Sequence, residues 1–136
     1  MQNNIDAFHR KLLRRVIDIR WPRIISNVDL YAKVNTEKWS KTIQRRRLNW
    51  LGHMMRLDEQ TPVRLSLTEA LSDVHRKVGR PTLTWLKLIQ KDLDLVNTNL
   101  NIDKTTPTEV INRLIKLTEN RANWRGMIRD IMAVNC

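Results

Sequence analysis

The chain has 136 residues, with 25 Lys or Arg against 14 Asp or Glu, for a formal net charge of +11. Hydrophobic residues make up 41% of it and only three Gly and four Pro occur, which permits a modest core and long helices and excludes wholesale disorder and a turn-rich β fold. A positive excess this large selects polyanionic partners, nucleic acid first and an anionic membrane surface second.

Along the chain, Ile5, Phe8, Leu12, Val16 and Ile19 recur at helical spacing, Leu13 and Ile17 widen the stripe, and Arg10, Lys11, Arg14 and Arg15 take the other side. This helix is expected to end before Pro22, which disfavours helical geometry at Trp21. Ser26 and Asp29 have the spacing of a capping box, with Asp in place of Glu, and open a short helix to about Val34. A longer helix is expected over about 36–57, with Trp39, Ile43, Trp50, Met54 and Leu57 in one narrow apolar arc that Leu48, Leu51 and Met55 extend. Lys38, Lys41, Arg45, Asn49, His53 and Arg56 gather on the opposite side. Arg47 falls inside the apolar arc, where it needs a partner or must snorkel outward.

Pro62 is placed to begin a further helix through Leu71. The stretch 72–81 has no apolar period and reads as a loop. From Thr82, the residues Trp85, Leu86, Ile89, Leu93 and Val96 form another helix face. Thr106 and Pro107 start a helix carrying Val110, Ile111, Leu114 and Leu117. A last helix, from about Glu119, turns Trp124, Met127, Ile128 and Ile131 inward, with Arg121, Arg125 and Arg129 along one flank. No segment alternates at period two and no internal repeat is visible. The expectation is one all-α domain over 1–136, an irregular multi-helix bundle of about five to seven helices, with loops near 58–61, 72–81 and 97–106.

No apolar run approaches the ~18–20 residues needed to span a bilayer, and the opening residues lack the apolar core of a secretory signal. The single cysteine, Cys136, cannot form an internal disulfide. A nuclear or cytoplasmic chain that is not secreted is expected, with no membrane partner.

Three strings are more specific than any periodicity: Arg45-Arg46-Arg47-Leu48-Asn49-Trp50-Leu51-Gly52-His53-Met54-Met55-Arg56, then Gly79-Arg80-Pro81 with Trp85 soon after, then Asn120-Arg121 with Trp124-Arg125. In this order they resemble the region downstream of the polymerase core in the endonuclease–reverse transcriptases of LINE-type (non-LTR) retrotransposons. Phe8-His9-Arg10-Lys11 and Ile19-Arg20-Trp21-Pro22 resemble that region's lead-in, so the resemblance covers nearly the whole chain. Two departures stand out: Val78 replaces the Arg that usually precedes Gly-Arg-Pro, and the Trp that commonly follows the segment near Leu67 is absent. The paired-Asp polymerase motif occurs nowhere, nor does anything similar to an endonuclease domain. The resemblance therefore implies a non-catalytic module whose partners are RNA or DNA and a reverse-transcriptase polymerase domain.

The residues expected to contact nucleic acid are Lys41, Arg45, Arg46, His53 and Arg56 on the long helix, with Lys77 and Arg80 in the loop. Three consecutive arginines cover about 200° of a helix and cannot share one ligand; Arg45 faces the polar side, Arg46 sits at its margin, and Arg47 leans toward the core. A solvated charged face is the competing reading. Gly79-Arg80-Pro81 resembles the core of an AT-hook, but Val78 removes one of its two arginines, and a loop-to-helix punctuation explains the same residues. Gly52 weakens the helix by ~1 kcal/mol relative to Ala, which points to close approach by a neighbouring helix or a phosphate backbone. Trp39, Trp50, Trp85 and Trp124 lie on apolar arcs and are expected in the core; Trp21 lies outside the helices. His9, His53 and His75 are far apart, no metal-ligand spacing exists, and no nucleophile–base set or phosphate-cradling glycine loop is present. No cofactor, metal or enzymatic activity is expected of the isolated chain.

Overall fold

The computed structural model describes residues 2–72, 85–96 and 106–134. Among them are seven helices and no strand: α1 (Gln2–Val16), α2 (Asn27–Val34), α3 (Trp39–Met55), α4 (Pro62–Ser72), α5 (Trp85–Asp94), α6 (Pro107–Thr118) and α7 (Arg121–Val134). The protein is all-α. Its chain divides into two compact units, Met1–Arg46 and Arg47–Cys136, with the division inside α3. No helix is long and apolar enough to cross a membrane, among the described residues.

In the first unit, α1 stops at Val16, before Pro22 as expected and short of Ile17 and Ile19 of its apolar stripe. Asp18 takes a left-handed conformation (φ 50°), its N–H bonds the Arg15 carbonyl at 3.3 Å, and the Ile19 N–H bonds the Arg14 carbonyl at 2.9 Å. Those two bonds close the helix end on itself. Ser26 caps α2 as expected, accepting from the Asp29 N–H at 3.1 Å. The return half of the box differs: Asp29, one carbon shorter than Glu, accepts from the Ser26 hydroxyl at 2.7 Å. The first turn of α3 holds no acidic residue. Asp6 of α1 supplies the missing negative charge, accepting from the Ser40 N–H at 3.0 Å and its hydroxyl at 2.6 Å. Leu30 is the one fully buried large hydrophobe described here, while Val16, Trp21, Ile24 and Val28 are all more than three-quarters exposed.

The second unit holds the main core: Leu48, Leu51, Met54 and Met55 of α3, Leu67 of α4, Leu86, Ile89 and Leu93 of α5, Val110 and Leu114 of α6, and Trp124, Ile128 and Ile131 of α7. Pro62 opens α4, and Thr106 caps α6 with Pro107 in its first turn, where proline's missing N–H is harmless. Asn120 opens α7, its Oδ1 accepting from the N–H groups of Ala122 and Asn123. Two arginines finish other helices. Arg64, almost wholly buried, donates to the Met55 carbonyl at 3.0 Å, and Arg56 donates to the Thr118 carbonyl at 2.9 Å, each satisfying a carbonyl at the end of a helix.

Of the expected arc of α3, Met54 and the extension Leu48, Leu51 and Met55 are buried, but the buried face is centred roughly a third of a turn from Trp39, Ile43 and Trp50, at about 100° per residue. Gln44, Leu48, Leu51, Gly52 and Met55 are buried, whereas Trp39, Ile43 and Trp50 are 40–48% exposed. Trp50, expected at the centre of the core, is on the surface, tilted against His53 with ring centroids 5.7 Å apart. The core tryptophan is Trp124, 1% exposed, with Nε1 donating to the Leu48 carbonyl at 3.1 Å. Trp85 is half-buried against the same core, and Trp21 is fully outside it.

Candidate nucleic-acid interface

Each basic side chain must be placed before it can be offered to a ligand, and three adjacent arginines show how differently they end up. Arg45, on the exposed side of α3, pairs with Glu37 in the first unit. Arg46 is exposed and forms no ion pair among the described residues. Arg47 turns inward, as its place in the apolar arc required, and meets Asp92 of α5 with Nε 2.9 Å and Nη2 2.5 Å from Oδ2. Both side chains are under 10% exposed. That pair belongs to folding.

The other expected contacts divide similarly. Lys41 is half-buried and engaged in interactions of its own. His53 is exposed beside Trp50. Arg56 lies just past the end of α3, half-buried, with one nitrogen on the Thr118 carbonyl. Its pKa is lowered from the usual arginine value first by burial and then by the positive charges of Arg121 and Arg125. Lys77 and Arg80, with the whole Gly79-Arg80-Pro81 string, lie outside the described residues.

Two concentrations of positive charge emerge besides the expected polar side of the long helix. In the first unit an open cleft of about 520 Å³ is lined by Ala7, Lys11, Arg14, Arg15, Ile19 and Arg20. Lys11, Arg14 and Arg15 come from the last turns of α1, and the tight stop at Asp18 brings Arg20 back beside them. Arg14 is anchored by Asn27 Oδ1 at 2.8 Å, and Arg20 pairs with Asp18 in a largely exposed contact. Lys11 and Arg15 are exposed and make no ion pair among the described residues. The second concentration is Arg56 with Arg121 and Arg125. The polar side of the first helix was legible as a sequence pattern; its concavity was not, because it depends on where the chain turns after Val16.

Among the described residues no group of three or more His, Cys, Asp or Glu side chains is placed to hold a metal ion. Compared with known proteins, the chain matches no protein-family model, no curated sequence and no solved structure.

Proposed function

We propose that this protein is a non-catalytic nucleic-acid-binding helical module, similar to the post-polymerase C-terminal region of LINE-type retrotransposon reverse transcriptases, acting in the nucleus or cytoplasm. The observation that carries the reading is the cleft whose wall holds Lys11, Arg14, Arg15 and Arg20. A concave surface lined by one sign of charge focuses the field on a polyanion, and guanidinium groups at its rim suit phosphate oxygens. In a complete element, such a module would help hold template RNA or target DNA beside the polymerase.

Polynucleotide binding at several salt concentrations tests this, using RNA and duplex DNA and the Lys11→Ala, Arg15→Ala double variant. Binding by the parent chain should weaken steeply with salt. The variant should bind both ligands more weakly, with a slope shallower by about one for each phosphate it no longer neutralises. Parent chain that binds neither ligand at low salt, or binds anionic vesicles in their place, removes nucleic acid from the account.

A second reading, a module that packs on a polymerase domain or an acidic partner, draws on a different observation. Trp21 and Ile24 are at least 90% exposed and Val16 and Val28 78% exposed, large apolar side chains that a partner surface could cover. Its test is a shift of Trp21 emission on mixing with the polymerase domain, which nucleic acid alone should not produce.

A further inference from the structure

The guanidinium of Arg56 is held at the turn from α6 to α7, from which Arg121 and Arg125 project, and none of the three forms an ion pair among the described residues. Two interactions fix the place. Arg56 Nη1 donates to the Thr118 carbonyl, and Trp124 lies against Gly52, one helical turn before Arg56, with its Nε1 on the Leu48 carbonyl. Arg121 stands between Thr118 and Trp124 in the chain, and Arg125 follows it by four residues, so the two share one flank of α7. Both are exposed, and their positive charges, after burial, lower the pKa of Arg56. The Nε of Arg56 is buried and has no hydrogen-bond partner among the described residues. Asp58 and Glu119, the acids nearest in sequence to Arg56 and Arg121, are exposed and form no ion pair among the described residues. Asn120 already takes the N–H groups of Ala122 and Asn123 at the start of α7, so a ligand here is held chiefly by side chains.

Like charges gathered without a counter-charge repel. An oxyanion seated among the exposed guanidinium nitrogens relieves that repulsion. We infer that Arg56, Arg121 and Arg125 form a binding site for a single phosphate group, filled by one backbone phosphate when a polynucleotide is bound. The inference rests on the nucleic-acid reading for that source of phosphate and on nothing else in it. Guanidinium groups present paired donors that match phosphate oxygens, and three of them around one group would grip it more firmly than a solvated lysine.

Inorganic phosphate is the first probe, titrated against chloride at matched ionic strength while thermal unfolding is followed. A ligand that binds only the folded chain raises its stability, so phosphate should raise Tm of the parent chain beyond the chloride control. Arg121→Gln with Arg125→Gln should remove that increment; both positions are exposed, and circular dichroism confirms that the variant folds. No increment over chloride overturns the site. The second probe is an oligonucleotide. Arg125→Gln should make the salt slope shallower by about one, and adding Arg121→Gln should change it no further, because both side chains serve the same phosphate. A slope reduced by about two in the double variant overturns the single-phosphate geometry, and an unchanged slope overturns the backbone assignment. Phosphate stabilisation in a parent chain that binds no oligonucleotide keeps the site but overturns its proposed occupant, and with it the nucleic-acid reading.

Discussion

The indole of Trp124 occupies the space that a Cβ on Gly52 would need. Two strings that lie far apart in the chain therefore meet through their least and most bulky members. Gly52 lets α7 come close enough for Trp124 Nε1 to reach the Leu48 carbonyl, one turn earlier on α3. The close approach expected of this glycine is to a helix.

Gly52→Ala should therefore behave opposite to its helix propensity. In an open helix interior the change would gain ~1 kcal/mol. Here the methyl group overlaps a rigid ring in the middle of the core, so we expect a net loss of ~1–3 kcal/mol, the usual range for overpacking. Urea unfolding followed by tryptophan emission reads this directly. An unchanged or higher midpoint would show that the indole can step aside.

Asp92→Asn should be more damaging than any surface charge change. It leaves the Arg47 guanidinium buried and facing a neutral amide, and removing one member of a buried pair typically costs ~3–5 kcal/mol. Replacing both members, Arg47→Met with Asp92→Leu, should recover most of that loss, since apolar residues of similar volume often substitute for a buried pair without penalty. A double variant as unstable as Asp92→Asn alone would mean that the pair's other hydrogen bonds, not its charge, hold the two helices.

Acidification should loosen the first unit through His9. This side chain is 3% exposed, stacked on Trp39 at 4.4 Å with Tyr31 at 5.6 Å. Burial lowers its pKa, Asp6 partly opposes the shift, and Arg10 adds to it. The unfolded chain thus takes up a proton near pH 6.5 that the folded chain still refuses. Stability is fully present above that pH and falls as the pH drops from about 6.5 toward the lower folded value, with no further loss from this group below it. Melting temperatures between pH 5 and 8 should show the decline, and His9→Gln should flatten it. An equal decline in the variant would assign the effect to other groups.

Helix starts were the most legible part of the sequence. Ser26, Pro62 and Thr106-Pro107 act locally, through a hydroxyl that accepts a backbone N–H or a ring that needs none, so their neighbours alone declare them. Arg47 was legible for a related reason: a charge inside an apolar arc must find a partner, although Asp92 could not be named in advance. Trp50 was not. Apolar residues cover about half of α3 at about 100° per residue, too broad an arc to fix its centre, and the large side chains of Trp39, Ile43 and Trp50 outweighed Leu48 and Leu51. Which side is covered depends on Trp124 docking at Gly52, a contact between distant residues that no local pattern contains. The basic cleft escaped for the same reason, since it needs the reversal at Asp18. Arg56 was expected to face outward only, whereas one of its nitrogens serves the end of another helix.

The arginine triplet at 45–47 also bears on how the protein is felt from a distance. Formally it contributes three charges, yet Arg45 is matched by Glu37 and Arg47 by Asp92. Beyond a Debye length of about 10 Å at ordinary salt, each matched pair fades to a small dipole, leaving Arg46 as the one monopole. A polyanion drifting toward this stretch of helix meets a third of the attraction that its spelling advertises. Electrostatic capture rates should accordingly respond to neutralising Arg46 and scarcely at all to neutralising both members of the Arg45–Glu37 pair together.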